Sequence, residues 1–421
     1  MILLGCIADD FTGATDLGDT LARHGMRTII QVGTPAAGYA AANSDAVIIA
    51  LKSRTVPAED AVRLSMSALR WLERAGVRQV FFKYCSTFDS TDRGNIGPVT
   101  DALLDALGDT FTIACPAFPE NGRTVYLGHL FVWNQLLSDS PMRHHPLTPM
   151  TDANLVRVLQ RQTQGRVALV PYQTVRRGTD AIRIACARLH ADGVRYAIVD
   201  AIDAEDLHNV GAAVDSLRLV TGASGVARGI PDTLRRQGLM QCEQAAEPWP
   251  AVGGYAAVLA GSCSTATLAQ VAEMRLHAPA LAIDPRSLAR GDDIVAQAVQ
   301  WAAARLPEGP VLIYTSAPQE EVARVQAELG QERAASLIDR ALTEVANGLV
   351  TQGVRKLVVA GGETAGAIVQ ALGISALRIG PQIEPGVPWT LGLGDPPIAF
   401  ALKSGNFGGP DFFLKALEGI S

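Results

Sequence analysis

Short apolar runs alternate with amphipathic stretches along the 421-residue chain. The runs are rich in β-branched residues, as in strands covered on both faces, whereas the amphipathic stretches have helical spacing. Helices are predicted over 16–24 and 57–74. Strands are predicted over 2–8, 28–32, 46–51, 77–82, 111–115, 167–170, 197–199, 256–260, 280–283, 311–315, 357–360 and 399–403. This pattern predicts an α/β fold with two α/β domains, mainly parallel sheets and an interdomain cleft.

The alternation stops between 238 and 254, where prolines and glycines leave no periodic apolar face. We therefore predict an N-terminal domain over 1–240, a linker over 241–254 and a C-terminal domain over 255–421. Ligands of such folds bind beyond the carboxyl ends of strands. The functional residues are expected in the loops at those ends.

The composition of the chain limits its candidate binding partners and its cellular location. With 36 Lys and Arg against 42 Asp and Glu, the net charge is −6, which argues against nucleic acid and anionic membranes. No apolar run approaches the ~20 residues of a membrane-spanning helix, and the N-terminus lacks the features of a secretory signal. The six cysteines are scattered without C-x-x-C spacing, so we expect a cytoplasmic protein with reduced thiols.

The loop after the first strand is acidic. Asp9, Asp10 and Asp16 lie within eight residues, and such a cluster of carboxylates is costly unless it binds something. The structural alternative is that Thr15 or Asp16 caps the following helix while Asp9 and Asp10 are solvated.

Two further loops of the first domain carry candidate substrate ligands. Lysine and arginine can pair with an anion such as a sugar acid, and hydroxyls and an amide can bind its polar groups. The candidates are Lys83, Ser86, Thr87 and Arg93 in one loop and Asn121 and Arg123 in the other. Ordinary surface turns remain the alternative for both loops.

Three loops of the second domain resemble phosphate cradles, in which glycine, a helix N-terminus and hydroxyl donors meet an anion. They contain Ser262 and Ser264, then Gly361, Gly362, Glu363 and Thr364, and finally Gly405 followed by Asp411. The motifs G-x-x-x-x-G-K-[ST], G-x-G-x-x-G, G-x-S-x-G and H-E-x-x-H are absent, which counts against P-loop enzymes, simple dinucleotide dehydrogenases, α/β-hydrolases and zincins.

Seven segments together resemble the four-carbon acid sugar kinases, and within that family the 3-oxo-tetronate kinases. They are IADDFTGATDLGDTLARHG, KYCSTFDSTDRGNIG, CPAFPENGRTVYLGHLFV, MRHHPLTPMTDANLVRVLQRQT, GSCSTAT, AGGETAGAIVQALGI and KSGNFGGPDFF. The resemblance implies an N-terminal substrate domain, a C-terminal nucleotide domain and ATP-dependent phosphorylation of the terminal hydroxyl of a four-carbon sugar acid. It also implies that ATP lies against Ser262, Ser264, the turn 361–364 and Gly405.

Phosphoryl transfer needs a group that accepts the alcohol's proton. Asp10 or Asp9 is the candidate base or hydroxyl anchor, Asp411 is a rival base, and Lys83 and Arg93 are expected to hold the substrate carboxylate. Mg²⁺ is expected with ATP, without assigned protein ligands.

The nearest alternatives are kinases of D-threonate or D-erythronate. A non-catalytic sugar-acid-binding protein is an alternative from another class, and stabilisation by Mg·ATP would discriminate against it. A homodimer is one candidate for the oligomeric state, which the sequence leaves open.

Overall fold

A computed structural model describes residues 2–35, 44–145, 147–240 and 249–419, and the structural statements below concern those residues. The chain divides into two compact units, Met1–Ala246 and Glu247–Ser421. Each unit is built on a mainly parallel sheet with helices, which confirms the predicted α/β class. The domain boundaries and the cleft stay predictions, and residues 241–248 of the predicted linker lie outside the described residues.

The first unit contains a parallel sheet of order β2-β3-β1-β4-β11-β5-β10-β9. Its strands are β1 (Leu4–Ala8), β2 (Thr28–Val32), β3 (Ala46–Ala50), β4 (Gln79–Lys83), β5 (Thr112–Cys115), β9 (Val167–Val170), β10 (Tyr196–Val199) and β11 (Leu219–Gly222). A separate antiparallel sheet consists of β6 (Arg123–Tyr126), β7 (His129–Val132) and β8 (Gln135–Leu136).

Helices connect these strands. They are α1 (Phe11–Arg23), α2 (Ala58–Arg74), α3 (Ile96–Leu107), α4 (Leu155–Gln160), α5 (Tyr172–Val175), α6 (Thr179–Ala191), α7 (Ala204–Ala213) and α8 (Gly229–Arg236). Short 3₁₀ helices cover Pro119–Asn121, Leu137–Asp139, Pro141–His144 and Ser224–Arg228. Helix α2 shows why such segments fold locally, because Ala61, Ala68 and Leu72 are spaced to share one buried face.

The second unit has the sheet order β13-β14-β12-β15-β18-β17-β16. Its strands are β12 (Tyr255–Ala260), β13 (Ala280–Ala282), β14 (Val311–Tyr314), β15 (Val354–Ala360), β16 (Ala376–Glu384), β17 (Val387–Gly392) and β18 (Ile398–Lys403). Its helices are α9 (Thr265–Met274), α10 (Pro285–Arg290), α11 (Ile294–Ala303), α12 (Gln319–Leu329), α13 (Gln331–Thr351), α14 (Gly362–Ala371) and α15 (Phe412–Glu418). Strands β16, β17 and β18 pair in antiparallel fashion and the other strands pair in parallel.

The predicted strands are confirmed to within three residues at each end. The predicted start of the first helix at Asp16 is wrong, because α1 begins at Phe11 and runs through the loop that we expected to be irregular. The Asp10 side chain accepts the Gly13 N–H at 2.8 Å and so caps the helix, which lets the helix begin immediately after the strand. The residues between β1 and Asp16 are therefore held rigidly.

Six strands were not predicted: β6, β7, β8, β11, β16 and β17. None of the described helices is long and apolar enough to cross a membrane. Cys6, Cys85, Cys115, Cys186 and Cys263 are free thiols, as expected, and Cys242 lies outside the described residues.

Candidate active site

The loops with the first set of predicted residues start from neighbouring strands. In the sheet of the first unit, β1 lies between β3 and β4, and Ala8 is in register with Ala50 on one side and with Lys83 on the other. The carboxyl ends of these parallel strands therefore meet at one edge. The acidic residues after β1 are placed beside the segment after β3, which contains Arg54, and beside the long loop after β4.

Arg54 is the centre of a buried charged cluster. It donates to both carboxylate oxygens of Asp9, at 2.9 and 2.7 Å, and lies 2.8 Å from Asp10 Oδ1 and 3.7 Å from Asp89 Oδ2. The exposed fraction of each of these four side chains is between 8% and 16%. One guanidinium thus holds three carboxylates that would otherwise repel each other.

Burial and charge oppose each other at these groups. Burial raises the pKa of Asp9 and outweighs the attraction of Arg54. Burial acts in the same direction on Asp89, but there Arg54 and His145 hold the pKa below its ordinary value. Burial would likewise lower the pKa of Arg54, yet Asp10 and Asp9 raise it, so Arg54 stays charged.

Asp10 also fixes the start of α1. Its Oδ1 accepts the Gly13 N–H at 2.8 Å and its Oδ2 accepts the Thr12 hydroxyl at 2.9 Å. A Cβ at Gly13 would overlap Asp10 Oδ1 and would lie 3.1 Å from Lys83 Nζ. Glycine at this position therefore lets Asp10 and Lys83 approach the backbone closely.

Lys83 is buried and lies close to Asp16. Its Nζ donates to the Tyr84 carbonyl at 2.9 Å and lies 3.6 Å from Asp16 Oδ2, which also accepts the Ser224 hydroxyl at 2.7 Å. The other oxygen, Asp16 Oδ1, is buried without a hydrogen-bond partner. Burial raises the pKa of Asp16 to about 6, against the attraction of Lys83 and the hydrogen bond from Ser224.

The other predicted substrate ligands separate into two groups. Ser86 and Thr87 are buried, and Thr87 donates to Asp89 Oδ1 at 2.7 Å. Arg123 is also buried: burial lowers its pKa, and Cys85 and Asp89 lie near enough to oppose that shift.

Asn121 and Arg93 differ from these residues. Asn121 ends a 3₁₀ turn, where its carbonyl accepts a hydrogen bond from Arg123 Nη1. Arg93 is exposed, and the ion pairs described above do not include it.

In the second unit, three neighbouring strands end at the predicted phosphate cradles. Strand β15 lies between β12 and β18, with Ala360 in register with Ala260 and with Lys403. The loops that follow contain Ser262 and Ser264, Gly361 to Thr364, and Gly405. They are therefore adjacent along one edge of the sheet.

Direct contacts join two of these loops. Ser264 caps α9 by accepting the Thr267 N–H at 3.2 Å, and its hydroxyl donates to the Gly405 carbonyl at 2.5 Å. A Cβ at Gly405 would overlap Ser262 Oγ and would lie 3.2 Å from Ser264 Oγ. Glycine is therefore required at 405 for this close approach.

The turn after β15 contacts the same region. Gly361 has φ of +131°, a conformation that favours glycine, and a Cβ there would lie 3.4 Å from the Ser262 nitrogen. Gly362 and Glu363 begin α14, and the Thr364 hydroxyl donates to Asp339 at 3.2 Å. The N-terminus of α14 therefore lies beside the loop that contains Ser262 and Ser264.

Asp411 has a different environment from the acids of the first unit. It precedes α15, its side chain is 52% exposed, and its Oδ1 lies 3.0 Å from Lys415 Nζ. Among the described residues no group of three or more His, Cys, Asp or Glu side chains could hold a metal ion.

Six residues that hold the predicted site residues in place were not identified from the sequence. They are Arg54, Asp89 and Ser224 in the first unit, and Thr267, Gln270 and Asp339 in the second. Arg54 carried a usable signal, because it follows a predicted strand by three residues and so lies at a carboxyl end. Asp89 lies in the same loop as Thr87 and Arg93. Gln270 and Asp339 lie within helices, and the sequence contains no signal that distinguishes them from ordinary helical polar residues.

Comparison with known families agrees with this division. The family of sugar-binding N-terminal domains matches residues 4–230, and the family of nucleotide-binding C-terminal domains matches residues 257–413. The acidic residues after β1 (Asp9, Asp10 and Asp16) thus lie in the first match, and the three glycine loops of the second unit lie in the second match.

Curated relatives are similar over almost the whole length. The chain is 57% identical to the 3-oxo-tetronate kinase of Burkholderia multivorans, covering 99% of this chain and 97% of that one. It is also 57% identical to the 3-oxo-tetronate kinase of Cupriavidus necator, with coverage of 99% and 96%. A solved structure from Salmonella typhimurium is 44% identical with a TM-score of 0.86, and covers 100% of both chains. One from Haemophilus influenzae is 41% identical with a TM-score of 0.74, covering 99% of this chain and 100% of that one.

Proposed function

The chain belongs to the four-carbon acid sugar kinase family, and on that premise we propose that it transfers the terminal phosphate of ATP to the 4-hydroxyl of 3-oxo-tetronate. The observation that carries this proposal is the 57% identity to 3-oxo-tetronate kinases over 99% of the chain. Two groups of loops support the proposal. The loops after β1, β3 and β4 contain buried charged groups that suit a sugar acid, and the loops after β12, β15 and β18 contain glycines and hydroxyls that suit a nucleotide.

In the first unit, we assign Lys83 and Arg123 to the substrate carboxylate, with Ser86, Thr87 and Asn121 near its hydroxyls. Lys83 supports this role because its buried ammonium lies at the carboxyl end of β4, close to the acidic residues after β1. Arg93 stays a weaker candidate because its side chain is exposed.

Asp9 and Asp10 are the proposed base and hydroxyl anchor. In the reaction the O4 of the substrate forms a bond to the γ-phosphorus, the bond from that phosphorus to the β–γ bridging oxygen breaks, and the hydroxyl proton passes to a carboxylate. Arg54 fixes the orientation of both aspartates before the substrate arrives. Asp411 remains the rival base, and its Oδ1 is paired with Lys415.

In the second unit, Ser262, Ser264, the turn from Gly361 to Thr364 and Gly405 are the proposed ATP ligands. Hydroxyl donors and backbone N–H groups at the starts of α9 and α14 suit the phosphates of a nucleotide.

Mg²⁺ is the proposed metal. It typically retains several waters and binds through substrate phosphates with one or two carboxylates. Asp9, Asp10 or Asp411 suffices as the protein's share of that donor set, so the absence of a three-ligand cluster among the described residues is compatible with it. When bound, the ion neutralises charge on the phosphates.

A coupled ADP-release assay tests the proposal. Wild-type protein with Mg·ATP is offered 3-oxo-tetronate, D-threonate, L-threonate and D-erythronate, alongside Asp10→Asn, Asp9→Asn and Asp411→Asn. As a matched control we use Asp60→Asn, because Asp60 is an exposed residue of the same unit. We expect turnover of 3-oxo-tetronate that falls at least about 100-fold when the base is removed and is unchanged in the control.

Other results reject parts of the proposal. Turnover of D-threonate or D-erythronate instead moves the assignment to those kinases. Absence of turnover with any acid, combined with no rise in melting temperature on adding Mg·ATP, rejects a kinase altogether.

A homodimer is also proposed. The side chains of Leu127 and Trp133, close to the two ends of β7, are apolar and 46% and 67% exposed, which suits a second copy of the chain. Light scattering on the purified protein should give twice the 44.4 kDa of one chain, and Trp133→Lys should return it to one. A monomeric wild-type protein contradicts this part.

A further inference from the structure

The glycine-rich loop 404–409 that follows β18 is held from one side by two fully buried polar side chains. Lys403 Nζ donates to the carbonyls of Ser404 and Gly405, each at 2.9 Å, and to Thr267 Oγ1 at 3.2 Å. The Gly405 carbonyl also accepts the hydroxyls of Thr267 and Ser264, at 2.9 and 2.5 Å. This one carbonyl is thus fixed by three donors.

Gln270 holds the second half of the same loop. Its Nε2 lies 3.0, 3.1 and 3.0 Å from the carbonyls of Phe407, Gly408 and Gly409. The side chain is fully buried in α9, and its Oε1 has no hydrogen-bond partner. A buried amide whose two N–H groups are shared among three successive carbonyls of one loop orders that loop.

These contacts determine where the loop's N–H groups point. In a trans peptide the N–H that follows a carbonyl points in the opposite direction. With five carbonyls turned towards Lys403 and Gln270, the N–H groups of Gly405 and Gly408 are turned away from them. Backbone N–H groups turned outwards from a glycine loop can bind an anion.

We propose that Lys403 and Gln270 are positioning residues that hold loop 404–409 with its N–H groups directed at the phosphates of the nucleotide. The proposal rests on the nucleotide site described above, and it adds residues from beneath the loop that do not touch ATP.

The environment of Lys403 adds a measurable consequence. Burial lowers its pKa to about 7, and Glu384 on β16 favours its charged form. Glu384 itself contacts Lys415 and the Gly409 N–H, each at 2.8 Å. Other charged groups at the three loops include Glu363 in the first turn of α14, Asp339, which accepts from Thr364, and Asp411 beside Lys415.

A nucleotide bound over the loop brings negative charge towards Lys403 and raises its pKa. At pH 8 a group of pKa about 7 is roughly nine-tenths deprotonated, so binding should take up close to one proton. By the same linkage, affinity is highest below pH 7 and falls by up to about tenfold per pH unit above it.

The experiment is titration calorimetry of the full chain with Mg²⁺ and the non-hydrolysable analogue AMP-PNP, at pH 8, in buffers of different ionisation enthalpy. The variants are Lys403→Met and Gln270→Met. Lys356→Met is the matched control, because Lys356 lies on the adjacent strand β15, in register with Ala399 and away from the carboxyl ends. The KM values for ATP and for the sugar acid are measured in parallel.

We expect both variants to weaken analogue binding and raise the KM for ATP at least tenfold, with the KM for the sugar acid unchanged. Lys403→Met should abolish proton uptake, whereas Gln270→Met and Lys356→Met should keep it. A merely structural role would move both KM values together and would leave proton uptake intact.

Several outcomes overturn the inference: unchanged affinity in either variant, proton uptake that persists in Lys403→Met, or uptake below about 0.2 proton in the wild type. The measurement of proton uptake by the wild type tests the inference even if Lys403→Met does not fold. If the wild type binds the analogue with proton uptake but phosphorylates no sugar acid, the proposed function fails and the inference stands. If it does not bind the analogue, both fail.

Discussion

Replacing Arg54 by Met tests whether the folded protein depends on this one guanidinium to hold Asp9, Asp10 and Asp89 together. The substitution keeps an apolar stem but removes the guanidinium that contacts Asp9, Asp10 and Asp89 at 2.7, 2.8 and 3.7 Å. Removing one partner of a buried ion pair costs roughly 3–5 kcal/mol. We expect about 3 kcal/mol because the Arg54 side chain keeps 16% of its surface exposed. That loss corresponds to a fall in Tm of about 6–12 °C for a unit of this size.

The destabilisation should depend on pH in a defined direction. Burial already raises the pKa of Asp9 in the folded protein, and loss of Arg54 raises it further. A group whose folded pKa lies above its unfolded pKa contributes stability at low pH and loses that contribution as pH rises through the folded pKa. The penalty of Arg54→Met should therefore be smaller at pH 5 than at pH 7.5.

Calorimetry of the full-length protein at these two pH values measures the effect. Arg63→Met is the matched control, because Arg63 pairs with Asp60 on the same unit but the two side chains are 68% and 49% exposed. Such a pair contributes about 0.5 kcal/mol or less. A loss below about 1 kcal/mol in Arg54→Met, or an equal loss at both pH values, would refute the reasoning.

Three further predictions concern single positions. Gly405→Ala places a Cβ against Ser262 Oγ, so the KM for ATP should rise at least about tenfold while the KM for the sugar acid stays constant; equal changes in both would contradict a local effect. Gly13→Ala places a Cβ against Asp10 Oδ1, and steady-state kinetics should show the reverse pattern, with a higher KM for the sugar acid only. Folding raises the pKa of Asp16 from 3.8 to about 6, so its contribution to stability is lost as pH rises from about 4 to 6. In Asp16→Asn, the free energy of unfolding measured with urea should no longer fall over this pH range. An unchanged pH dependence would argue against the shift.

The first unit shows what a linear pattern can reveal about a site. The strand 2–8 followed by Asp9 and Asp10 predicted an acidic group at a carboxyl end, and β1 indeed ends at Ala8. The pattern did not reveal that Asp10 starts a helix at Phe11, since capping depends on one hydrogen bond to Gly13. Nor did it reveal Arg54, because the partner of Asp9 lies 45 residues away.

The second unit shows the same division. Glycines and hydroxyls after β12, β15 and β18 were recognised from their spacing, because local backbone chemistry determines such loops. That these loops lie side by side depends on the strand order, in which β18 pairs directly with β15. Strands β16 and β17, which separate β15 from β18 along the chain, were not predicted from the pattern.

The sequence by itself determined the α/β class, the strand ends and the residue types of both loop clusters, because periodicity and turn chemistry act over a few neighbouring residues. The tertiary structure decided which carboxylates share Arg54, that Lys403 and Gln270 lie beneath one loop, and how burial shifts the pKa of Asp16 and Lys403. Pairing across a sheet and desolvation in a core are long-range effects, and they exist only once distant segments have packed together.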